Sequence, residues 1–179
     1  MKNEAVEKVL ITEEEISGRI SYLAEKISKD YEGKELICVG ILKGSVVFLA
    51  DIIRKISVPL SIDFMTVSSY GNSTKTCGEL KIKKDLDADI KGKNVLIIED
   101  IIDSGVTLSK LVELLKGRGP QSVEICALLN KPERRIANVD AKYIGFDIPN
   151  EFIIGYGLDY AEKYRELPFV GVLKREIYE

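Results

Sequence analysis

Apolar positions recur along this chain in two rhythms, and the changes of rhythm mark its elements. Ile16, Ile20, Leu23 and Ile27 stand at helical spacing behind a Thr12 and Glu15 pair of capping-box form. This spacing predicts a first helix over residues 13–28. The run "LICVGIL" (36–42) is continuously apolar and short enough for a buried strand. Residues 45–55 read as a helix, and Pro59 ends the linker after it. "SIDFMTV" (61–67) predicts the next strand, and "SSYGNSTKTCG" (68–78) a long polar loop. "ELKIKK" alternates and predicts a half-exposed strand. "NVLIIE" (94–99) reads as a buried strand, and residues 107–118 as a helix stopped by "GRGP". "SVEICALL" (122–129) is another buried strand, with short strand candidates at 142–146, 152–154 and 170–173.

Strands that alternate with helices imply an α/β fold, with a mainly parallel sheet flanked by helices on both faces. The 179 residues show no internal repeat, low-complexity tract or linker, so a single domain over 1–179 is expected. Ligands of such sheets sit beyond the carboxyl ends of the strands. Lys43, Glu99 and Lys131 are charged residues at three such ends.

Composition narrows the chemistry. Hydrophobic residues make up 45% and charged residues 31%, which fits a soluble globular protein. A net charge of -3 argues against a nucleic-acid partner, which usually meets a basic face. No apolar run approaches the ~20 residues of a membrane span. The opening "MKNEAVEKVL" lacks the apolar core of a signal peptide, so a cytoplasmic address is expected. Cys38 and Cys126 lie in apolar runs and read as buried, whereas Cys77 lies in a polar segment; an odd count of 3 fits a reducing compartment. The chain has 0 histidines. That excludes a Ser-His-Asp triad, an HExxH zinc site and a histidine base. Proton transfer is left to carboxylates, Lys, Tyr, Cys or water.

The segment "VLIIEDIIDSGVTL" (95–108) runs a buried strand into Glu99, Asp100 and Asp103, then into Ser104, Gly105 and Thr107. Gly105 permits a tight path between strand and helix, and Thr107 or Ser104 can cap the helix. Unsatisfied N–H groups at the helix start, backed by its dipole, suit a phosphate. Glu99 and Asp100 would repel a phosphate placed on them, and suit hydroxyl groups or a bridging Mg²⁺. The stretch therefore calls for a sugar whose hydroxyls meet the acids and whose 5′-phosphate lies beyond.

An apolar strand, two acids and a small phosphate-cradling loop resemble the signature of the type I phosphoribosyltransferases. "GILKGSVVF", "SSYG", "LLNKPERR" and "DIPNEFIIGYGLDYAEKYREL" resemble, in order, segments of the hypoxanthine-guanine phosphoribosyltransferase family, from Ile41 to Leu167. The resemblance implies the phosphoribosyltransferase fold, with a small hood from the N- and C-terminal segments and a mobile lid at about 68–80. It implies Mg²⁺-dependent transfer of the ribosyl phosphate of phosphoribosyl pyrophosphate to a purine nitrogen, through an oxocarbenium-like transition state. The partners are phosphoribosyl pyrophosphate and a 6-oxopurine, hypoxanthine or guanine. Xanthine stays open, and a homodimer or homotetramer is expected.

Roles follow by resemblance alone. Glu99 and Asp100 match the acids on the ribose hydroxyls, and Asp103 the catalytic carboxylate near the purine imidazole ring. Ser104, Gly105, Val106, Thr107 and Leu108 match the 5′-phosphate loop. Leu42, Lys43 and Gly44, whose first peptide can be cis, match the pyrophosphate loop, with Arg165 reaching the same group. Lys131 matches the donor to the purine 6-oxo group, Phe152 the ring stacked on the base, and Ile153 a backbone contact to its edge. Asp159 matches a purine-binding position and a second metal-linked carboxylate beside the metal-facing Glu99 and Asp100. Ser69 and Tyr70 match the lid tip. Taken alone, Lys43 reads as a solvated lysine, Phe152 as a core aromatic and Arg165 as a surface charge.

Two other classes compete. Regulators of the same fold keep the sugar-phosphate loop and bind nucleic acid; Asp103, Lys43, Arg165 and the acidic balance argue against that. A phospho-accepting receiver shares "LIIED" and "LLNKP", but the order is wrong. Asp103 is the only Asp between Asp100 and Lys131, too close to Asp100 to sit on another strand.

Overall fold

The protein is described here from a computed structural model covering residues 4–69 and 80–179. Tyr70 and the Ser69 side chain, the expected lid tip, lie outside the described residues. In chain order the elements are β1 (Val6–Ile11), α1 (Glu13–Asp30), β2 (Leu36–Ile41), α2 (Val46–Ile53), β3 (Leu60–Ser69), β4 (Leu80–Lys84) and β5 (Asn94–Ile102). Then come α3 (Val106–Lys116), β6 (Ser122–Asn130), β7 (Tyr143–Asp147), β8 (Ile153–Ile154), β9 (Val170–Leu173) and α4 (Arg175–Tyr178).

The capping box at Thr12 forms as its sequence predicts. Thr12 Oγ1 accepts the Glu15 N–H at 3.2 Å, and Glu15 Oε2 accepts the Thr12 N–H at 2.8 Å. The helix runs on past residue 28, and the N–H of Tyr31 closes it on the Ile27 carbonyl at 3.0 Å.

The main sheet has the order β4-β3-β2-β5-β6-β7, parallel from β3 to β7 with β4 antiparallel at one edge. Period-2 alternation divides its core between the two faces. Leu36, Cys38, Leu96, Ile98, Cys126 and Leu128 pack with the apolar stripes of α1 and α2. Ile37, Val39, Val95, Ile97 and Ile125 pack with Leu108, Leu111 and Leu115 of α3. Continuous apolar runs, readable as strands or as buried helix, are strands because both faces are covered.

A second sheet, β1-β9-β8, is antiparallel and joins the N-terminal segment to the C-terminal one, forming the hood. β1 is not among the elements the hydrophobic pattern predicts. Two register shifts against β9 break its alternation, so its period is invisible. Among the described residues no helix is long and apolar enough to cross a membrane.

One boundary shift matters for chemistry. β5 does not stop at Glu99 but continues to Ile102, paired to β6 through Ile101↔Leu129 and Ile102↔Asn130. Glu99 and Asp100 therefore lie within a strand, and strand geometry fixes their backbone. Local sequence favoured an earlier end because carboxylates are poor strand formers; the β6 ladder overrides that preference.

Candidate active site

Glu99 Oε2 is buried and has no hydrogen-bond partner among the described residues. Burial pushes this carboxyl well above the usual range, and the neighbouring Asp100 charge adds to the effect. Burial likewise pushes Asp100 up to about 6, against the pull of backbone N–H groups and of Arg165; Asp159 pushes it further up. An orphaned buried carboxylate oxygen beside a second acid lacks a donor or a cation. Among the described residues no group of three or more His, Cys, Asp or Glu could hold a metal unaided. The all-oxygen donor set fits Mg²⁺, which usually takes one or two carboxylates and completes its shell with water and substrate oxygens.

The acid pair gives a stability prediction. A carboxyl raised in the folded state binds its proton more tightly there than in the unfolded chain, whose pKa is near 4. Its favourable contribution is complete below that value and is lost as pH rises to about 6, the folded value for Asp100. Asp100→Asn should therefore stabilise the ligand-free protein by roughly 1–3 kcal/mol at pH 8 and by much less at pH 4. Urea melts at the two pH values measure this. An equal effect at both would mean that the Asp100 charge costs the fold nothing.

Three segments meet beside Asp100. The Leu42–Lys43 peptide is cis. At Gly44 a Cβ would lie 1.8 Å from Asp100 Oδ2, so only glycine fits. At Gly157 a Cβ would lie 2.0 Å from the Gly44 carbonyl oxygen. Against this contact Arg165 donates from Nη1 to the Gly157 carbonyl at 2.8 Å. Its Nη2 stands 2.8 Å from Asp159 Oδ1 and 3.3 Å from Glu162 Oε2. Lys43 Nζ lies 3.0 Å from the same Glu162 oxygen. Lys43, Gly44, Asp100, Asp159 and Arg165, far apart in the chain, are thus one charged cluster. Arg165 is held by two residues besides Glu162 and is no loose surface charge.

Beyond Glu99 the chain turns into α3. Gly105 is the N-cap at φ +79°, in the left-handed region. Of the two caps the sequence suggested, Ser104 supplies a weak one from the position before the N-cap, and Gly105 itself has no side chain to cap with. Ser104 Oγ accepts the Val106 N–H at a long 3.4 Å, and the Ser104 carbonyl accepts from Ile136 and Ala137 at 2.9 and 3.1 Å. Gly105 makes the turn through its left-handed backbone, and the first-turn N–H groups beyond Val106 have no intrahelical acceptors. A cavity of about 150 Å³ opens there, lined by Glu99, Ile101, Ile102, Asp103, Ser104, Gly105, Thr107 and Leu108. The buried acid and the phosphate-sized loop share this one cavity.

On the far side lies Lys131, only 7% exposed, with Nζ donating to the Glu151 carbonyl at 2.7 Å. Burial lowers its pKa, the Asp103 charge raises it and Arg134 lowers it. Asp103 Oδ1 is 2.8 Å from Arg134 Nε. Phe152, next to Glu151, is no core residue: it is 39% exposed, stacks on Tyr178 at 4.9 Å and meets Tyr160 edge-on at 5.6 Å. Ile153 is buried and pairs with Val172 in the hood. β8 begins at Ile153, one residue later than expected, because the Phe152 carbonyl is used by the Leu173 N–H just outside the ladder.

Three residues of this site were not singled out from sequence. Arg134 closes a 3-10 turn, Pro132–Arg134, so it sits three residues after Lys131 on one side of the turn. Proline directly after Lys131 is a helix-start signal that could have revealed the turn. Glu162 and Tyr178 carry no local signal; only folding brings them to Lys43 and Phe152.

Comparison with known proteins places the chain among relatives of one kind. The family described as "Phosphoribosyl transferase domain" matches residues 10–161. The chain is 53% identical over 173 residues to a hypoxanthine-guanine phosphoribosyltransferase of Staphylococcus aureus, covering 97% of each. A solved hypoxanthine phosphoribosyltransferase from Staphylococcus aureus superposes with a TM-score of 0.94 at 52% identity, covering 98% of this chain and 95% of that one. One from Trypanosoma cruzi gives 0.94 at 40% identity, covering 99% and 100%. A parallel sheet under a hood, an acid pair opening into a phosphate-sized loop, and 53% identity over nearly the full chain lead to one conclusion: the chain belongs to the hypoxanthine-guanine phosphoribosyltransferase family.

Proposed function

We propose that this chain is a purine-salvage enzyme. It transfers the 5-phosphoribosyl group from phosphoribosyl pyrophosphate to hypoxanthine or guanine and releases pyrophosphate, giving IMP or GMP. The observation that carries this reading is the shared cavity in which Glu99 and Asp103 meet the first turn of α3.

The residues divide the work as follows. Residues 104–108 hold the 5′-phosphate through backbone N–H groups and the positive end of the helix dipole. Glu99 and Asp100 accept from the ribose hydroxyls. Lys43, the N–H groups of the 42–44 loop and Arg165 stabilise the departing pyrophosphate. A purine nitrogen bonds to the sugar C1′ as the bond from C1′ to the pyrophosphate oxygen breaks. Asp103 takes or stabilises the proton lost from the imidazole ring; no histidine competes for that role. Lys131 donates to the 6-oxo group, Phe152 packs on the base and the backbone at Ile153 lines its edge. Bound Mg²⁺, held by Glu99, Asp100 or Asp159 and substrate oxygens, would neutralise charge on the diphosphate. The reaction belongs in a reducing cytoplasm, where the buried, unpaired Cys38 and Cys126 keep their thiols. A homodimer or homotetramer is the expected assembly.

Pyrophosphate release from phosphoribosyl pyrophosphate, with each purine in turn, tests the reading. Hypoxanthine and guanine should turn over; release with neither would end it. The metal has its own test. Four carboxylates and a polyphosphate at close range repel one another. Excess chelator should abolish turnover and added Mg²⁺ should restore it. Full turnover in chelator would remove the metal from the reading.

A further inference from the structure

We propose that Glu162 is a built-in stand-in for pyrophosphate, a carboxylate that occupies the diphosphate-binding cations in the ligand-free protein and must be displaced when the diphosphate binds. This rests on reading Lys43 and Arg165 as the pyrophosphate pair.

Glu162 Oε2 contacts both cations at once, Lys43 Nζ at 3.0 Å and Arg165 Nη2 at 3.3 Å. One carboxylate oxygen between an ammonium and a guanidinium is the arrangement a phosphate oxygen would make. The backbone places it there against its own preference. Ala161, Glu162 and Tyr164 have φ values of +50°, +64° and +77°, left-handed and unfavourable for residues with a Cβ. Such conformations persist where the surroundings impose them, and they cluster at ligand clamps. The Glu162 N–H donates to Asp159 Oδ2 at 2.9 Å and so ties the turn to the segment that holds Arg165.

The two cations depend on Glu162 to different degrees. Arg165 keeps its bonds to Asp159 and the Gly157 carbonyl without it. For Lys43, Glu162 supplies the ion pair seen here. Removing the Glu162 charge therefore frees Lys43 and leaves Arg165 in place. Deleting an acid at this position should improve the site.

The experiment is calorimetric titration of magnesium pyrophosphate into the wild type, Glu162→Gln and Glu162→Asn. Asparagine tolerates the left-handed backbone, so the second variant guards against a folding defect. Both variants should bind pyrophosphate about 3- to 10-fold more tightly, the scale of one or two exposed ion pairs. The gain should shrink at high salt. IMP, which carries no diphosphate for Lys43 and Arg165 to hold, should bind all three proteins equally. Unchanged or weaker pyrophosphate binding in both variants would overturn the proposal and leave the reading of Lys43 and Arg165 intact. A wild type that binds IMP but no pyrophosphate would overturn that reading, and the proposal with it.

Discussion

Asp103→Asn is expected to lower kcat by ~10²–10⁴-fold, the usual range for a group that handles a proton in the transition state. Asparagine keeps the shape and the acceptor oxygen but removes the charge that takes or stabilises the proton. Substrate binding should change far less, because the proposed 5′-phosphate contacts come from the backbone of residues 104–108 and not from the Asp103 charge. The structure adds a partner. Arg134 Nε, 2.8 Å from Asp103 Oδ1, pairs with the carboxylate by charge, without an aligned hydrogen bond. Both side chains are half exposed, at 50% and 44%, so the pair contributes little to the stability of the fold. Single-turnover kinetics, which separate chemistry from product release, are the measurement. A near-normal chemical step in Asp103→Asn would reduce Asp103 to a loop residue and leave proton transfer to water.

Much of this site was legible because its parts are local. The strand, acids, glycine and helix start of residues 95–108 lie in one run of chain, and the physical need of each shows in its residue type. The parallel sheet was legible for the same reason, since every β-to-α change of period falls within a few residues. What could not be read depends on distant chain. The Thr107 or Ser104 cap was a sound local guess: Ser104 Oγ does accept the first helical N–H, at a long 3.4 Å, while the left-handed Gly105 turns the corner. The carboxylates of β5 looked like a strand end, and only the β6 ladder shows that they are inside it. Lys43 and Glu162 are 119 residues apart, and no periodicity couples them. Taken alone, Phe152 resembled a core aromatic; its stacking on Tyr178, from the last short helix, depends on distant chain and shows in no local pattern.

Base selection should rest on Lys131. Its ammonium has three donors and no acceptor. One donor is committed to the Glu151 carbonyl at 2.7 Å, and the side chain is 7% exposed, so the others have little water to turn to. A 6-oxo group offers the missing acceptor and a charge-assisted hydrogen bond. Adenine's 6-amino group presents another donor and leaves the buried ammonium underpartnered. Sites built to hydrogen-bond one substrate group reject an analogue lacking it by ~10⁴-fold or more. The wild type should therefore use hypoxanthine and guanine and reject adenine by that order in kcat/KM. Lys131→Ala should erase most of the difference by slowing hypoxanthine, while adenine stays poor or improves slightly. The same variant frees the Glu151 carbonyl beside Phe152, so a thermal melt must accompany the kinetics to separate lost recognition from lost structure. If the wild type turns adenine over efficiently, or if an intact Lys131→Ala protein keeps the wild-type ratio, the buried lysine does not read the base. The 6-oxopurine assignment then loses the residue that gives it a chemical reason.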